Sequence, residues 1–257
     1  MKRLIIIGAG NSIRPELQNG LWDKLKKEYT FSLNDTLYLF QPTVPIFVDW
    51  YWYKARYEII KDISLSIGKY DRKYWASHPE IKIPNISPNT IFLKPSNEYH
   101  GIESWEKGFY SGILCGCYAL TLGIALGFKE IYLLGYDFTE INGKTHFYEK
   151  DDLNNQEIGI IKEKNGTIRC GIGKDSRGYY RTGVYNNSSN NYFNVYKKSL
   201  KETKIYNVSQ NSKITTFPKI SYTDFYKNLS SEKIDIDQEL GREQIRQIIT
   251  NKLGKQK

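Results

Sequence analysis

The most constraining feature of this chain lies at its start. In "LIIIGAGNS", Leu4 to Ser12, four apolar residues run straight into a glycine-rich turn that ends in Asn and Ser. A short, wholly apolar run of this kind suits a parallel strand buried on both faces. The segment from 13 to 28 carries Leu17, Leu21 and Leu25 at helical spacing, so it reads as the helix that follows the turn. A strand, a glycine turn and a helix open a βαβ unit, and such units demand a parallel sheet.

The rest of the chain keeps that alternation. "YTFSLND" reads as a second strand that stops at Asn34-Asp35, and "PIFVDWYWY" as a third that stops near Asp49. "YKARYEIIKDI" resembles a helix and "NTIFLKP" a strand. "SWEKGFYSGILCGCYALTLGIALGF" is the longest helical signal, although it contains Gly108, Gly112, Gly116 and Gly123. Glycine costs about 1 kcal/mol inside a helix, so several together point to close packing on a sheet or to backbone that meets a ligand. "KEIYLLGYDF" is then a central strand ending at Gly135-Tyr136-Asp137.

From 139 to about 190 the chain becomes polar and rich in Gly and Asn, with a hairpin expected around Asn165-Gly166. Helix and strand resume with "YFNVYKKSLKE" and "KIYNVS". "QELGREQIRQIITNKL" reads as an amphipathic helix docked on the body or on a second copy. The expected architecture is α/β: a Rossmann-like, mostly parallel sheet with helices on both faces and a lid insertion after the Asp137 strand. Residues 1–138 and 191–230 would form the α/β domain, 139–190 the lid and 231–257 a helical tail.

Composition narrows the partners. The formal charge of +9 favours anionic ligands, nucleotides and nucleic acid included, but the basic residues are dispersed. An odd count of 3 cysteines argues against a secreted disulfide scaffold, and Cys115 and Cys117 read as packing residues in an apolar run. The first apolar run is too short for a signal peptide, and nothing reaches membrane-spanning length, so a cytoplasmic protein is expected.

In parallel α/β sheets, ligands sit outside the carboxyl ends of the strands. Here those ends carry Gly8 to Ser12, Asn34-Asp35, Asp49 and Gly135 to Asp137. Gly8 and Gly10 would let backbone approach a phosphate, and Asn11 or Ser12 could cap the helix and donate to the ligand. Asp35 stands near the distance at which dinucleotide folds place a ribose-binding acid. However, Ile13 occupies the position of the third small residue, and the Lys-Ser/Thr of a P-loop is absent. Asp35, Asp49 and Asp137 together could hold a Mg²⁺–nucleotide. His78 and His100 read as surface or capping residues, whereas His146, at the root of the insertion, could touch substrate.

Taken in order, "IIIGAGNSI", "FSLND", "ALGFKEIYLLGYDF" and "KIYNVSQNSKI" resemble the bacterial lipooligosaccharide sialyltransferases and the related methanogen-type 6-hydroxymethyldihydropterin pyrophosphokinases. "GKTHFY" looks more like the kinase side. The resemblance implies a nucleotide held at the strand rim, a covering lid and an oligomeric assembly. Gly8, Gly10 and Ser12 match the sialyltransferase turn, while Ala9 and Asn11 stand where it has Asn and Pro. Asn34 matches an Asn near the donor phosphate, Cys115-Gly116 falls at a Ser-Gly donor contact, and Asp137 matches the Asp of a G-x-D-F motif.

The family's lid His aligns, by spacing from Gln210, with Tyr185. A tyrosine of ordinary pKa, about 10, is a poor base at neutral pH, so Tyr185 would need Arg181 or Arg177 nearby. The function expected is a glycosyltransferase-like enzyme that passes a group from a nucleotide-activated donor to a hydroxyl acceptor. That acceptor could be a small molecule, a glycan or nucleic acid. Tyr180, Tyr185 and Arg181 would serve the leaving group, and Asp137 or His146 the acceptor. The alternatives are a Mg-ATP-dependent pyrophosphokinase acting on a hydroxymethylpterin, with Mg²⁺ at Asp137 and Asp35, and a nucleotide-binding module without catalysis.

Overall fold

The computed structural model describes residues 1–69, 86–112, 114–139, 141–142, 147 and 189–255. The first strand, β1 (Arg3–Ile7), is buried at every residue. It alternates between two cores. Leu4 and Ile6 face one of them, Ile5 and Ile7 the other, as the two-residue period of a strand requires. A central parallel strand therefore has no polar side, which is why the run reads as uninterrupted apolar residues.

Six further strands join β1 in one sheet: β2 (Thr30–Leu33), β3 (Val44–Phe47), β4 (Ser66–Lys69), β5 (Thr90–Leu93), β8 (Glu130–Leu134) and β9 (Lys204–Asn207). Their order is β5-β4-β3-β2-β1-β8-β9, and every pairing is parallel. The chain steps outward from β1 to β5, then returns to lay β8 against the other edge of β1. That reversal creates a topological switch point between β1 and β8, where the connections leave on opposite faces and open a crevice. The registers Ile7↔Ser32 and Ile7↔Leu134 bring the turns after β1, β2 and β8 to one rim.

Helices cover both faces. On one, α5 (Cys115–Ala125) is buried from Gly116 to Ala125, and a Cβ on Gly123 would lie 2.7 Å from Leu4 Cδ2. The glycines here let the helix approach the sheet, which offsets their helix cost. The C-terminal helix α8 (Gln238–Gly254) docks on the body of the same chain. Ile245 and Ile249 enter this core, and buried Arg242 donates to the carbonyls of Thr43 and Pro42, each at 2.8 Å. Its amino end is capped by Asp237, which accepts from the N–H groups of Glu239 and Leu240. On the opposite face lie α1 (Arg14–Gln18), α2 (Leu21–Leu25) and α7 (Tyr222–Ser231), with Leu21, Leu25, Phe225 and Leu229 against Ile5 and Ile7.

Several elements differ from the sequence expectation. The helix expected over 13–28 is broken at Gly20, which has φ +70°. The long signal over 104–128 is not one helix. Gly108 (φ +107°) ends α4 (Ser104–Lys107), and Phe109–Tyr110 then forms a strand, β7, paired with Pro95–Ser96, β6. The strand expected to stop near Asp49 ends at Phe47, and the helix expected from Tyr53 begins earlier, as α3 (Trp50–Ile60). The segment expected as a helix over 192–202 is divided between α6 (Ser189–Asn194) and a 3₁₀ stretch, Val195–Lys201. Strand β4 carried no clear sequence signal. The hairpin expected at Asn165-Gly166 lies outside the described residues. Among the described residues no helix is long and apolar enough to cross a membrane.

Candidate functional site

The site is built from the turns that leave the carboxyl ends of β1, β2 and β8. The first is stitched to β8. Gly8 N–H donates to the Leu134 carbonyl at 2.8 Å and Gly10 N–H to the Gly135 carbonyl at 2.9 Å. A Cβ on Gly8 would lie 2.8 Å from Gly135 O, and one on Gly10 would lie 2.5 Å from the Asp137 carboxylate. Both glycines are there because another segment presses on their backbone. That segment belongs to the protein itself.

Asp137 is buried. Its Oδ2 accepts from Ser12 N–H at 2.7 Å and its Oδ1 from Ser12 Oγ–H at 2.6 Å. A helix start attracts an anion through its free N–H groups, and here the carboxylate of Asp137 fills that place with charge-assisted hydrogen bonds. The sequence expects Gly8, Gly10 and Ser12 to cradle a phosphate. Their N–H groups instead bind Leu134, Gly135 and Asp137. The loop after β9 secures the same corner. Lys213 N–H donates to the Asp137 carbonyl at 2.8 Å, and Ser212 Oγ to the Tyr136 carbonyl at 2.6 Å.

The root of the insertion covers the turn. Asn11 Nδ2 donates to Ile141 O at 2.8 Å, and Phe147 N–H to Ala9 O at 2.9 Å. Asn11 thus does not cap the helix, and its Oδ1 is buried without a hydrogen-bond partner. Buried acceptors in native proteins nearly always find a donor, and this one has none among the described residues.

The β2 side is arranged differently. Asn34 adopts a left-handed backbone, φ +49°, and its Oδ1 is also buried with no hydrogen-bond partner among the described residues. Among the described residues, the non-glycine positions with positive φ are Asn34, Phe138 and Asn142. All three lie on the turns at this rim, and strained backbone of this kind gathers at functional sites. Asp35 Oδ1 accepts from Trp52 Nε1 at 2.8 Å and from Arg56 Nε at 3.1 Å. The carboxylate expected to help bind the nucleotide, or Mg²⁺ in the kinase alternative, is therefore paired with a buried guanidinium. Thr36 Oγ1 ties this turn to the first by donating to Gly8 O at 3.3 Å.

Gly116 is a packing residue in this structure. Its carbonyl accepts from Tyr136 Oη at 3.2 Å, and a Cβ would lie 2.9 Å from the Tyr136 ring. Burial, and next the charge of Asp49, push the Cys115 thiol well above its usual value, so Cys115 is a neutral packing group. His100 Nε2 lies 3.1 Å from Ser96 Oγ, away from the β1 turn in the chain's connection to α4. His146, Tyr180, Arg181 and Tyr185, with His78 and Arg177, lie outside the described residues.

Four participants escaped the sequence reading. Trp52 and Arg56 converge on Asp35, and their i, i+4 spacing at the start of a helix is the signal that could have found them. Ser209, after β9, is buried with an unpartnered hydroxyl. Tyr222 places a buried hydroxyl near Asp137. Burial first, and then the Asp137 charge, hold its pKa well above the usual tyrosine value.

Searches against protein-family models, curated proteins and solved structures returned no match to this chain. The likeness to sialyltransferases and pterin pyrophosphokinases rests on the quoted motifs alone.

Proposed function

We propose that the chain is a glycosyltransferase-like enzyme that binds a nucleotide-activated donor along this rim and passes a group to a hydroxyl acceptor. One observation carries the reading. The buried, unpartnered amide oxygens of Asn11 and Asn34 lie on turns at the switch-point rim, where parallel α/β sheets take their ligands. Both are acceptors, and both suit the hydroxyl or amino donors of a nucleoside. The leaving phosphate would need positive charge, a role the sequence assigns to Arg177 and Arg181, which lie outside the described residues. Catalysis would come from positioning and from stabilising the departing phosphate.

The pyrophosphokinase reading fits the donor set less well. It asks Asp137 and Asp35 to hold Mg²⁺, yet Asp137 is committed to Ser12 and Asp35 to Arg56 and Trp52. Magnesium would have to displace an ion pair on one side and a helix cap on the other. Among the described residues no group of three or more His, Cys, Asp or Glu side chains is placed to hold a metal.

A thermal-shift panel of CMP, CDP, UDP, GDP, AMP, ATP and NAD, each with and without Mg²⁺, tests the proposal. A ligand at a hundred times its Kd stabilises by about 2.7 kcal/mol, which moves the melting temperature visibly. Metal-independent stabilisation by a pyrimidine nucleotide is the expected result. Stabilisation by ATP only in the presence of Mg²⁺ would transfer the assignment to the kinase reading. No response to any nucleotide would sink both.

A further inference from the structure

We infer that Trp52 is a stacking platform for the planar heterocycle of the ligand, so that the base lies on the β2–β3 side of the rim. The inference rests on the nucleotide reading above for the identity of the ligand, and on separate observations for the site.

Trp52 stands in the first turn of α3, just past the end of β3, and is only partly buried. Its ring is held from two directions. Phe47 stacks against it with centroids 5.6 Å apart and planes inclined by 27°, and the indole N–H donates to Asp35. Asp35 is in turn fixed by Arg56, with both side chains more than nine-tenths buried. Packing alone does not call for this arrangement. Burying an ion pair is often no more stabilising than an apolar pair of the same volume. What the pair achieves is a fixed orientation for a large, partly open aromatic ring.

The residue before Asp35 is Asn34, whose Cα lies about 3.8 Å along the chain. Asn34 has a left-handed backbone, and its Oδ1 has no hydrogen-bond partner among the described residues. An aromatic ring and an amide acceptor on the adjoining β2 and β3 turns would suit a heterocycle that carries an N–H donor, such as the amino group of cytosine or adenine. Strands in a sheet are about 4.8 Å apart. A nucleotide based at β3 therefore reaches the turn of β1, two strands away.

The test compares the intact protein with Trp52→Phe and Trp52→Leu in titrations with CMP, AMP and ribose 5-phosphate, followed by calorimetry and by tryptophan emission. Stacking a base on an aromatic side chain is worth about a tenfold change in affinity or more. We expect Trp52→Leu to weaken nucleotide binding by about that factor and to leave ribose 5-phosphate unchanged. We also expect nucleotide-induced quenching in the wild type that Trp52→Phe, which keeps an aromatic ring but not the indole, removes. Nucleotide binding with quenching and affinity unchanged in both variants would overturn the platform while leaving the proposed function standing. If the wild type binds no nucleotide, titration with free adenine and cytosine separates the two ideas. Quenching that Trp52→Phe abolishes would keep the platform and discard the nucleotide reading, and no quenching by either base would discard both.

Discussion

The two flanks of the central strand solve the same problem in opposite ways. On the β8 side, the turn after β1 is closed. Gly8, Gly10 and Ser12 spend their N–H groups on Leu134, Gly135 and Asp137, and the Asp137 carboxylate takes both bonds that Ser12 offers. On the β2 side, Asp35 is balanced by a cation, and Asn34 combines a left-handed backbone with an amide oxygen that, like that of Asn11 in the β1 turn, has no partner among the described residues. The closed flank is a latch that joins segments distant in sequence. The open flank carries the groups that the proposed ligand would meet. Two acidic residues of similar burial and similar position thus differ in role, and the difference is visible in what each is bonded to.

The largest effect separating the flanks should come from Arg56→Met. The side chain is buried against Asp35, and its loss leaves a buried carboxylate whose charge no longer has its partner. Breaking such a pair costs about 3–5 kcal/mol. Urea unfolding should therefore show a large fall in midpoint, and Asp35→Asn added to the same chain should recover much of it, because the amide carries no charge to strand. If the double variant is as unstable as Arg56→Met alone, the pair is not what holds this flank, and the orientation argument for Trp52 loses its anchor.

Gly10→Ala probes the latch and should rank second. The new methyl would lie 2.5 Å from the Asp137 carboxylate and 2.6 Å from Gly135 O. Neither neighbour is the free end of a flexible side chain, since the carboxylate is bound by Ser12 and the carbonyl belongs to backbone. Overpacking of this kind costs about 1–3 kcal/mol, again read by urea unfolding. Gly10 has an extended backbone, φ −63°, so the cost is steric and carries no left-handed contribution. If Gly10→Ala proves harmless, Asp137 is free to move, and the first turn can open to an anion after all.

The contrast also explains which parts of the site the sequence revealed. The buried strand, the glycine turn and the rim position of Asn34, Asp35 and Asp137 follow from local patterns, since apolar runs, glycines and strand-end polar residues lie next to one another in the chain. The bond between Ser12 and Asp137 spans 125 residues, and no local pattern records that the turn's anion is supplied from within. "DWYWY" continues the apolar run of β3, so propensity extends the strand. The helix wins because it packs Tyr53 and Ile60 with Phe47 and brings Trp52 and Arg56 onto Asp35. In 104–128 the apolar composition suits one long helix, but Gly108 and Gly112 take positive φ and turn the chain through β7 instead. Tertiary pairing overrode propensity at each of these places.

Asn34→Gly should have the smallest effect on stability and says the most about the open flank. Asn34 holds a left-handed backbone that glycine adopts without a steric cost, and its Oδ1 gains nothing in the ligand-free protein. The substitution should leave stability unchanged or raise it by up to about 1 kcal/mol. Nucleotide binding should move the other way, because the acceptor that the strain presents is gone. A structural asparagine would give the reverse pattern, with stability falling and binding following it down in proportion. Measuring both quantities on one variant therefore distinguishes a residue strained for a ligand from one that merely ends a strand.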